Sequence, residues 1–212
     1  DGSPSAEKAV CYINQAKEKG SVVFEWRHQR PDGKIWDAEV HLLCFEVDGK
    51  PLLQFSLVDI SERRRAERAL QASEEQTRFL FENMSQGVVY HDLSGVVVHA
   101  NNAAAAILGI PHEQLVGATS FDPRWQAIHE DGSGYSGEQH PAILTLASGK
   151  PVRDAVMGVF NSARDQYIWI RVNSIPRFDM DGKLVQVVVT IEDITARKSA
   201  ERALKESEER FD

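Results

Sequence analysis

The chain carries the stretch DISERRRAERALQASEE at residues 59–75 and a second version of it, DITARKSAERALKESEE, at residues 193–209. The two stretches are identical at 11 of 17 positions and lie 134 residues apart. An apolar run that opens with Asp-Gly-Lys precedes each of them, and Trp36 and Trp169 mark the strand before that run. Internal self-similarity of this kind is typical of repeated structural units.

The repeat predicts four segments. Residues 1–60 are the C-terminal half of a first domain, and residues 61–84 form a linker helix. Residues 85–195 form a complete second domain, and residues 196–212 begin the next linker helix. We expect the segment to be a piece of a longer protein.

Composition excludes several classes of protein. The 212 residues are 42% hydrophobic and 26% charged, which is ordinary for a globular protein. A net charge of −8 argues against a nucleic-acid partner, which would require a basic face. There is no apolar run near 18 residues, so no membrane contact is expected. The two cysteines, Cys11 and Cys44, cannot form a disulfide framework, and a cytoplasmic location is the simplest expectation.

The linker stretch 61–84 contains neither Gly nor Pro and is predicted to be one helix. Ser61 and Thr195 are predicted N-caps of the two linker helices, because a hydroxyl can accept from the first-turn amides. Residues at alternating spacings of three and four predict a weak heptad seam: Ala66, Leu70, Ser73, Thr77, Leu80 and Met84. Two interpretations stay open, an amphipathic helix lying on its own domain and a parallel coiled coil in a homodimer.

The complete unit, residues 85–195, is predicted to be an α+β domain. Two short strands form a hairpin over 87–100, short helices follow up to residue 148, and three strands occupy 152–161, 167–177 and 183–192. This order predicts a five-stranded antiparallel sheet with short helices over one face.

Several motifs in this order make the chain resemble the PAS family of sensory modules. The motifs are the turn Asp92-Leu93-Ser94-Gly95, then Val98-His99-Ala100-Asn101-Asn102, Ile107-Leu108-Gly109, Leu115-Val116-Gly117, and the closing Asp193-Ile194-Thr195. The resemblance implies a sensory module, without catalysis of its own, that relays a signal through linker helices. The output domain would lie outside this segment, in a sensor histidine kinase or a cyclic-dinucleotide enzyme. The alternative is a ligand-free PAS array that serves for dimerisation and spacing.

In the family, the junction between the sheet and the outgoing helix couples the domain core to the next helix. The resemblance therefore assigns a relay role to Asp59, Ile60 and Ser61, and to their counterparts Asp193, Ile194 and Thr195. Their occurrence at both ends of the repeat favours this role over an ordinary turn.

No resident cofactor or metal is expected. Light-sensing flavin members of the family carry a reactive Cys, and the complete unit has none. Haem members use a His on the corresponding helix, but His140 is followed by Pro141 and its loop reads as exposed.

A cavity between the sheet and the helices is the remaining candidate site. Strand alternation and the match to family strands predict as its lining Val89, His91, Trp125, Val156, Phe160, Ile170, Val172, Ser174, Val189 and Ile191. Most of these would pack in any core. His91 and Ser174 are the polar exceptions, and a few polar groups in an apolar cleft are typical of a ligand pocket. His91 as a hydrogen-bonded core residue is the competing interpretation, and Trp125 either covers the pocket or anchors its loop.

Overall fold

The computed structural model describes residues 5–208. By its internal contacts the chain divides into two units, one ending at Gln76 and the other beginning at Thr77. The division falls inside a long helix, α2 (Ser61–Asn83). The helix ends one residue earlier than predicted, so Met84 lies just past it.

The first unit contains helix α1 (Ser5–Lys19), which the sequence did not predict, and three antiparallel strands. The strands are β1 (Ser21–Gln29), β2 (Ile35–Val47) and β3 (Lys50–Asp59), paired in that order. Helix α1 packs on β1 and β2, where the ring of Tyr12 stacks on Phe24 with centroids 3.7 Å apart. Every residue of β3 is exposed.

The second unit contains a five-stranded antiparallel sheet in the order β5-β4-β8-β7-β6. Its elements are β4 (Gly87–His91), β5 (Val97–Ala100), α3 (Asn102–Leu108), α4 (His112–Leu115), α5 (Pro141–Ser148), β6 (Val152–Asn161), β7 (Gln166–Phe178), β8 (Leu184–Asp193) and α6 (Thr195–Glu208). The predicted α+β class and its antiparallel sheet are confirmed.

The core of this unit lies between one face of the sheet and the helices. Strand β8 turns Val187, Val189 and Ile191 to that face, and all three are buried. Helices α3 and α5 pack against the same strand. Burial of this apolar layer supplies the main driving force for folding, at about 25 cal/mol per Å² of apolar surface.

The side chain of Asn101 joins three elements. It is fully buried, and its Oδ1 accepts hydrogen bonds of 2.9 Å from the amides of Val88 and Ala104. Its Nδ2 donates to the carbonyl oxygens of Phe81 at 3.0 Å and Gln86 at 2.9 Å. One amide group therefore holds the last turn of α2, strand β4 and the first turn of α3 together, with all four of its hydrogen-bonding positions used.

We expect Asn101→Ala to lower the free energy of unfolding by about 2–4 kcal/mol, because it leaves several buried backbone groups without partners. Urea unfolding of the purified protein measures this. The matched control is Asn102→Ala, at the exposed neighbouring position, which we expect to cost less than about 1 kcal/mol. Equal losses in the two variants would contradict the structural role of Asn101.

Candidate functional site

A cavity of about 70 Å³ lies between the sheet and the helices of the second unit. Strand residues Val89, Ile170, Val172, Val189 and Ile191 line one side of it. Helices and loops contribute the other side, with Leu108, Leu115, Ser120, Trp125, His140, Pro141 and Ala142. The lining is mostly apolar, as in most small-molecule sites.

Seven of the ten side chains named from the sequence line this cavity: Val89, His91, Trp125, Ile170, Val172, Val189 and Ile191. Ser174 is fully buried but does not line it, and its hydroxyl has no hydrogen-bond partner within residues 5–208. The indole Nε1 of Trp125 donates to the carbonyl oxygen of Thr119 at 2.6 Å. Trp125 therefore anchors its loop and contributes to the cavity wall at the same time.

The placement of Val156 and Phe160 in the lining is wrong. The register between β6 and β7 shifts between Val152 and Ala155, and Asp154 has φ +52° within the shift. A bulge of this kind inserts a residue and inverts the alternation beyond it. Met157 and Val159 consequently line the cavity instead.

The sequence interpretation did not include His140 in the cavity lining, although this polar residue belongs to it. It directly precedes α5, which Pro141 starts, and its half-buried ring lines the cavity rather than an exposed loop. The ring also meets Tyr135 edge to face, with centroids 5.6 Å apart. The His-Pro pair at a helix start was visible in the sequence, but the burial of the loop was not.

Both cavity histidines are held neutral. Burial lowers the pKa of His91, although a hydrogen bond to Gly95 and the charge of Asp92 oppose this. Burial, together with repulsion from His91, lowers the pKa of His140 to about 4. Both rings line the same cavity, where a charge on one disfavours a charge on the other.

The sheet-to-helix junctions of the two units have the same hydrogen bonds. Asp59 Oδ1 accepts from the amide of Ser61 at 2.9 Å, and Asp193 Oδ1 accepts from that of Thr195 at 2.9 Å. The isoleucine between them is buried in both cases. Hydrogen bonding to Ser61 lowers the pKa of Asp59. For Asp193, burial raises the pKa, but hydrogen bonds from Thr195 and Arg164 outweigh it and the pKa is lowered.

The prediction that Ser61 and Thr195 cap their helices is wrong. The Ser61 hydroxyl accepts from the amide of Asp37 on β2, and the Thr195 hydroxyl accepts from that of Trp169 on β7, each at 3.0 Å. In each unit the hydroxyl therefore bonds the helix to the neighbouring strand. The first amide of the helix, that of Ser61 or Thr195, is bound instead by the aspartate two residues earlier. This pairing also makes Asp37, not Trp36, the counterpart of Trp169.

A basic residue in the first turn of each helix adds an ion pair within its own unit. Arg64 of α2 pairs with Glu25 of β1, and Lys198 of α6 pairs with Glu130. Lys198 also lies over the ring of Trp169, 5.4 Å from its centroid. Each outgoing helix is therefore fixed at its start by backbone, hydroxyl and charge contacts.

The heptad residues lie on an open surface. All described residues of α2 are exposed or half-buried, and Leu70 is 61% exposed.

None of the helices within residues 5–208 is both long and apolar enough to cross a membrane. Over the same residues no group of three His, Cys, Asp or Glu side chains is placed to hold a metal ion.

Residues 75–194 match the family model of the PAS fold. The chain belongs to the PAS family. An uncharacterized protein of Sinorhizobium fredii, y4lL, is 34% identical over 154 residues, which are 73% of this chain and 18% of that protein. The C4-dicarboxylate transport sensor protein DctS of Rhodobacter capsulatus is 28% identical over 69% of this chain and 22% of its own length.

Among solved structures, the PAS domain of Bordetella pertussis BvgS is similar, with 22% identity, a TM-score of 0.45, and coverage of 66% of this chain and 98% of that domain. The chain spans about a fifth of the length of the curated relatives that it matches. Its relatives also include the virulence sensor protein BvgS of Bordetella bronchiseptica, 26% identical over 97% of this chain and 17% of that protein.

We expect the protein to lose stability as the pH falls from 6.5 to 4. In this window the unfolded chain binds a proton at residue 140 that the folded chain does not, so the free energy of unfolding falls by at most about 3 kcal/mol. Urea unfolding at a series of pH values checks this. His140→Gln should flatten the profile, whereas His99→Gln, at an exposed position, should leave it unchanged. Identical profiles for wild type and His140→Gln would contradict the burial of this ring.

Proposed function

We propose that this segment is the sensory part of a multi-PAS signalling protein. The cavity of the second unit binds a small molecule, and the junction at residues 193–195 passes the resulting change to α6. The output domain is a sensor histidine kinase or a cyclic-dinucleotide enzyme in the same polypeptide, and the location is the cytoplasm. The first 60 residues act as the C-terminal half of a preceding PAS domain. The segment itself performs no catalysis.

The observation that carries this proposal is the position of β8. Val189 and Ile191 of this strand line the cavity, and the strand ends two residues later in Asp193. Ile194 then sits in the core, with its amide bonded to the Trp169 carbonyl at 2.8 Å. A displacement of β8 by a ligand would therefore reach the first turn of α6 through contacts that are already rigid.

The alternative is a ligand-free dimerisation scaffold, and strand β3 favours it. Leu53, Phe55 and Leu57 correspond by the 134-residue repeat to the buried Val187, Val189 and Ile191 of β8. In β3 these side chains are exposed, Phe55 by 66%, and no strand pairs with the outer edge of β3 within the described residues. Unpaired edges and apolar patches attract partners, and a second copy of the chain is the partner we propose.

Mass spectrometry of small molecules released from the purified protein separates the two functions. We expect a stoichiometric organic molecule, and a visible absorption spectrum without haem or flavin bands. An empty protein that no added small molecule stabilises would favour the scaffold. A stoichiometric haem or flavin would contradict the absence of a resident cofactor.

We expect Asp193→Ala in the full-length protein to change output activity while lowering domain stability by only about 0.5–2 kcal/mol. The control is Asp179→Ala, because the Asp179 carboxylate likewise accepts from backbone amides, those of Asp181 and Lys183, but in a hairpin turn away from the junction. Output assays and thermal unfolding of both variants check this. Normal signalling by Asp193→Ala, or its outright unfolding, would count against the relay role.

Light scattering well above micromolar concentration should give the mass of a two-fold homodimer. If the helix seam forms it, Leu70→Glu gives a monomer, whereas Ala72→Glu, exposed and off the seam, keeps the dimer. A dimer that survives Leu70→Glu assigns the contact to the edge of β3. A strictly monomeric wild type would rule out the homodimer.

A further inference from the structure

The cavity of the second unit contains very few hydrogen-bonding groups. Of its lining side chains, only His91, Ser120, Trp125 and His140 are polar, and no Lys, Arg, Asp or Glu of the described chain is among them. The indole of Trp125 is already used by the Thr119 carbonyl. The two imidazoles and one hydroxyl are therefore the groups that decide what can bind.

The hydrogen bond to Gly95 determines which nitrogen of His91 carries the proton. Nδ1 lies 3.1 Å from the Gly95 carbonyl oxygen, which can only accept, so Nδ1 carries the hydrogen. In the neutral ring, Nε2 is then a hydrogen-bond acceptor. The ring of His91 is only 6% exposed, lines the cavity, and contacts the Gly95 carbonyl oxygen through Nδ1, which leaves Nε2 as the nitrogen open to a ligand. An acceptor on the wall of an apolar cavity favours a ligand that carries a hydrogen-bond donor.

The charge state of the cavity excludes anionic ligands. Burial keeps both imidazoles neutral at physiological pH. No cation lines the cavity within the described chain. Moving a carboxylate or phosphate into such a space without a counter-charge is strongly unfavourable. A cationic ligand would likewise lack a counter-charge, because no Asp or Glu of residues 5–208 lines the cavity. The chemistry of the lining therefore favours an uncharged ligand.

The volume sets the size of the ligand. A water molecule requires roughly 10–15 Å³ measured in the same way. The cavity of about 70 Å³ is several times larger. It therefore accommodates a molecule on the order of one small ring or a short branched chain.

We propose that this cavity binds a small, uncharged, mainly apolar molecule that donates one hydrogen bond to Nε2 of His91, such as a phenol, a small alcohol or an N–H heterocycle. This rests on the proposed ligand-sensing function and specifies its ligand class. Ser120 and His140 are the two further polar contacts available to such a molecule.

Three probes of similar size test the class: phenol, which donates a hydrogen bond; anisole, which does not; and benzoate, which is anionic. Titration calorimetry should show phenol binding about tenfold or more tightly than either of the others, since a hydrogen bond to a buried acceptor is at stake. In nitrogen-15 spectra of the histidine rings, phenol should shift Nε2 of His91 and leave Nδ1 protonated. This measurement uses the wild-type protein and does not depend on a variant that folds.

Two variants and a control locate the site. Ala142 lines the cavity and is buried, so Ala142→Leu should fill it and abolish binding of phenol. Ala147→Leu, at an exposed position on the same helix, should bind as the wild type does. His91→Leu should reduce the affinity for phenol to that for anisole.

The outcomes distinguish the ligand class from the function. Benzoate binding as tightly as phenol, or anisole doing so, overturns the proposed class and leaves ligand sensing in place. Phenol binding that survives Ala142→Leu overturns the cavity as its site. If no probe binds and the purified protein releases no small molecule, both the class and the ligand-sensing function are overturned.

Discussion

The buried amide of Asn101 is the interaction on which the second unit most depends. It satisfies backbone groups of α2, β4 and α3 that would otherwise be orphaned away from water. Strand β4 in turn pairs with β8, and β8 carries both the cavity wall and the junction. Because each step uses specific hydrogen bonds, the position of β8 relative to the last turn of α2 is closely determined.

The sequence predicted the elements of this frame well, and for a physical reason. In strand β8 the residues that alternate with Val187, Val189 and Ile191 are less buried and mostly polar, so the inward direction of these three side chains follows from the period of two. The Asn101-Asn102 pair after a short strand likewise indicates a helix start, since Asn is a favoured N-cap. The Asn101 side chain does accept from the amide of Ala104.

Sequence-based predictions fail where a single inserted residue changes the alternation of a strand, or where a tertiary contact replaces the local hydrogen bond expected for a side chain. The bulge near Asp154 inverts the alternation of β6, so that Val156 and Phe160 were assigned to the wrong face. The hydroxyl of Thr195 is a capping group by residue type, but the strand amide of Trp169 takes it. The expectation of an exposed loop at His140 fails because the burial of this ring comes from long-range packing of residues 118–140, a segment with little regular structure. None of these three effects leaves a local pattern in the sequence.

The two sheet-to-helix junctions differ in the residue of the neighbouring strand that each one contacts. One is built on Asp37 and the other on Trp169, side chains with nothing in common, yet each residue gives the junction the same two backbone groups, an N–H and a C=O. The hydrogen bonds of the junction are therefore made to main chain, whereas the side chains are used by the following helix, Arg68 pairing with Asp37 and Lys198 lying over Trp169. The other groups that form the junction are an aspartate, a buried isoleucine and a hydroxyl, and all three belong to the Asp-Ile-(Ser/Thr) motif itself. Such a joint is interchangeable: sensory units with unrelated cores could be joined to the same helix, or exchanged by recombination, without any redesign of the connection.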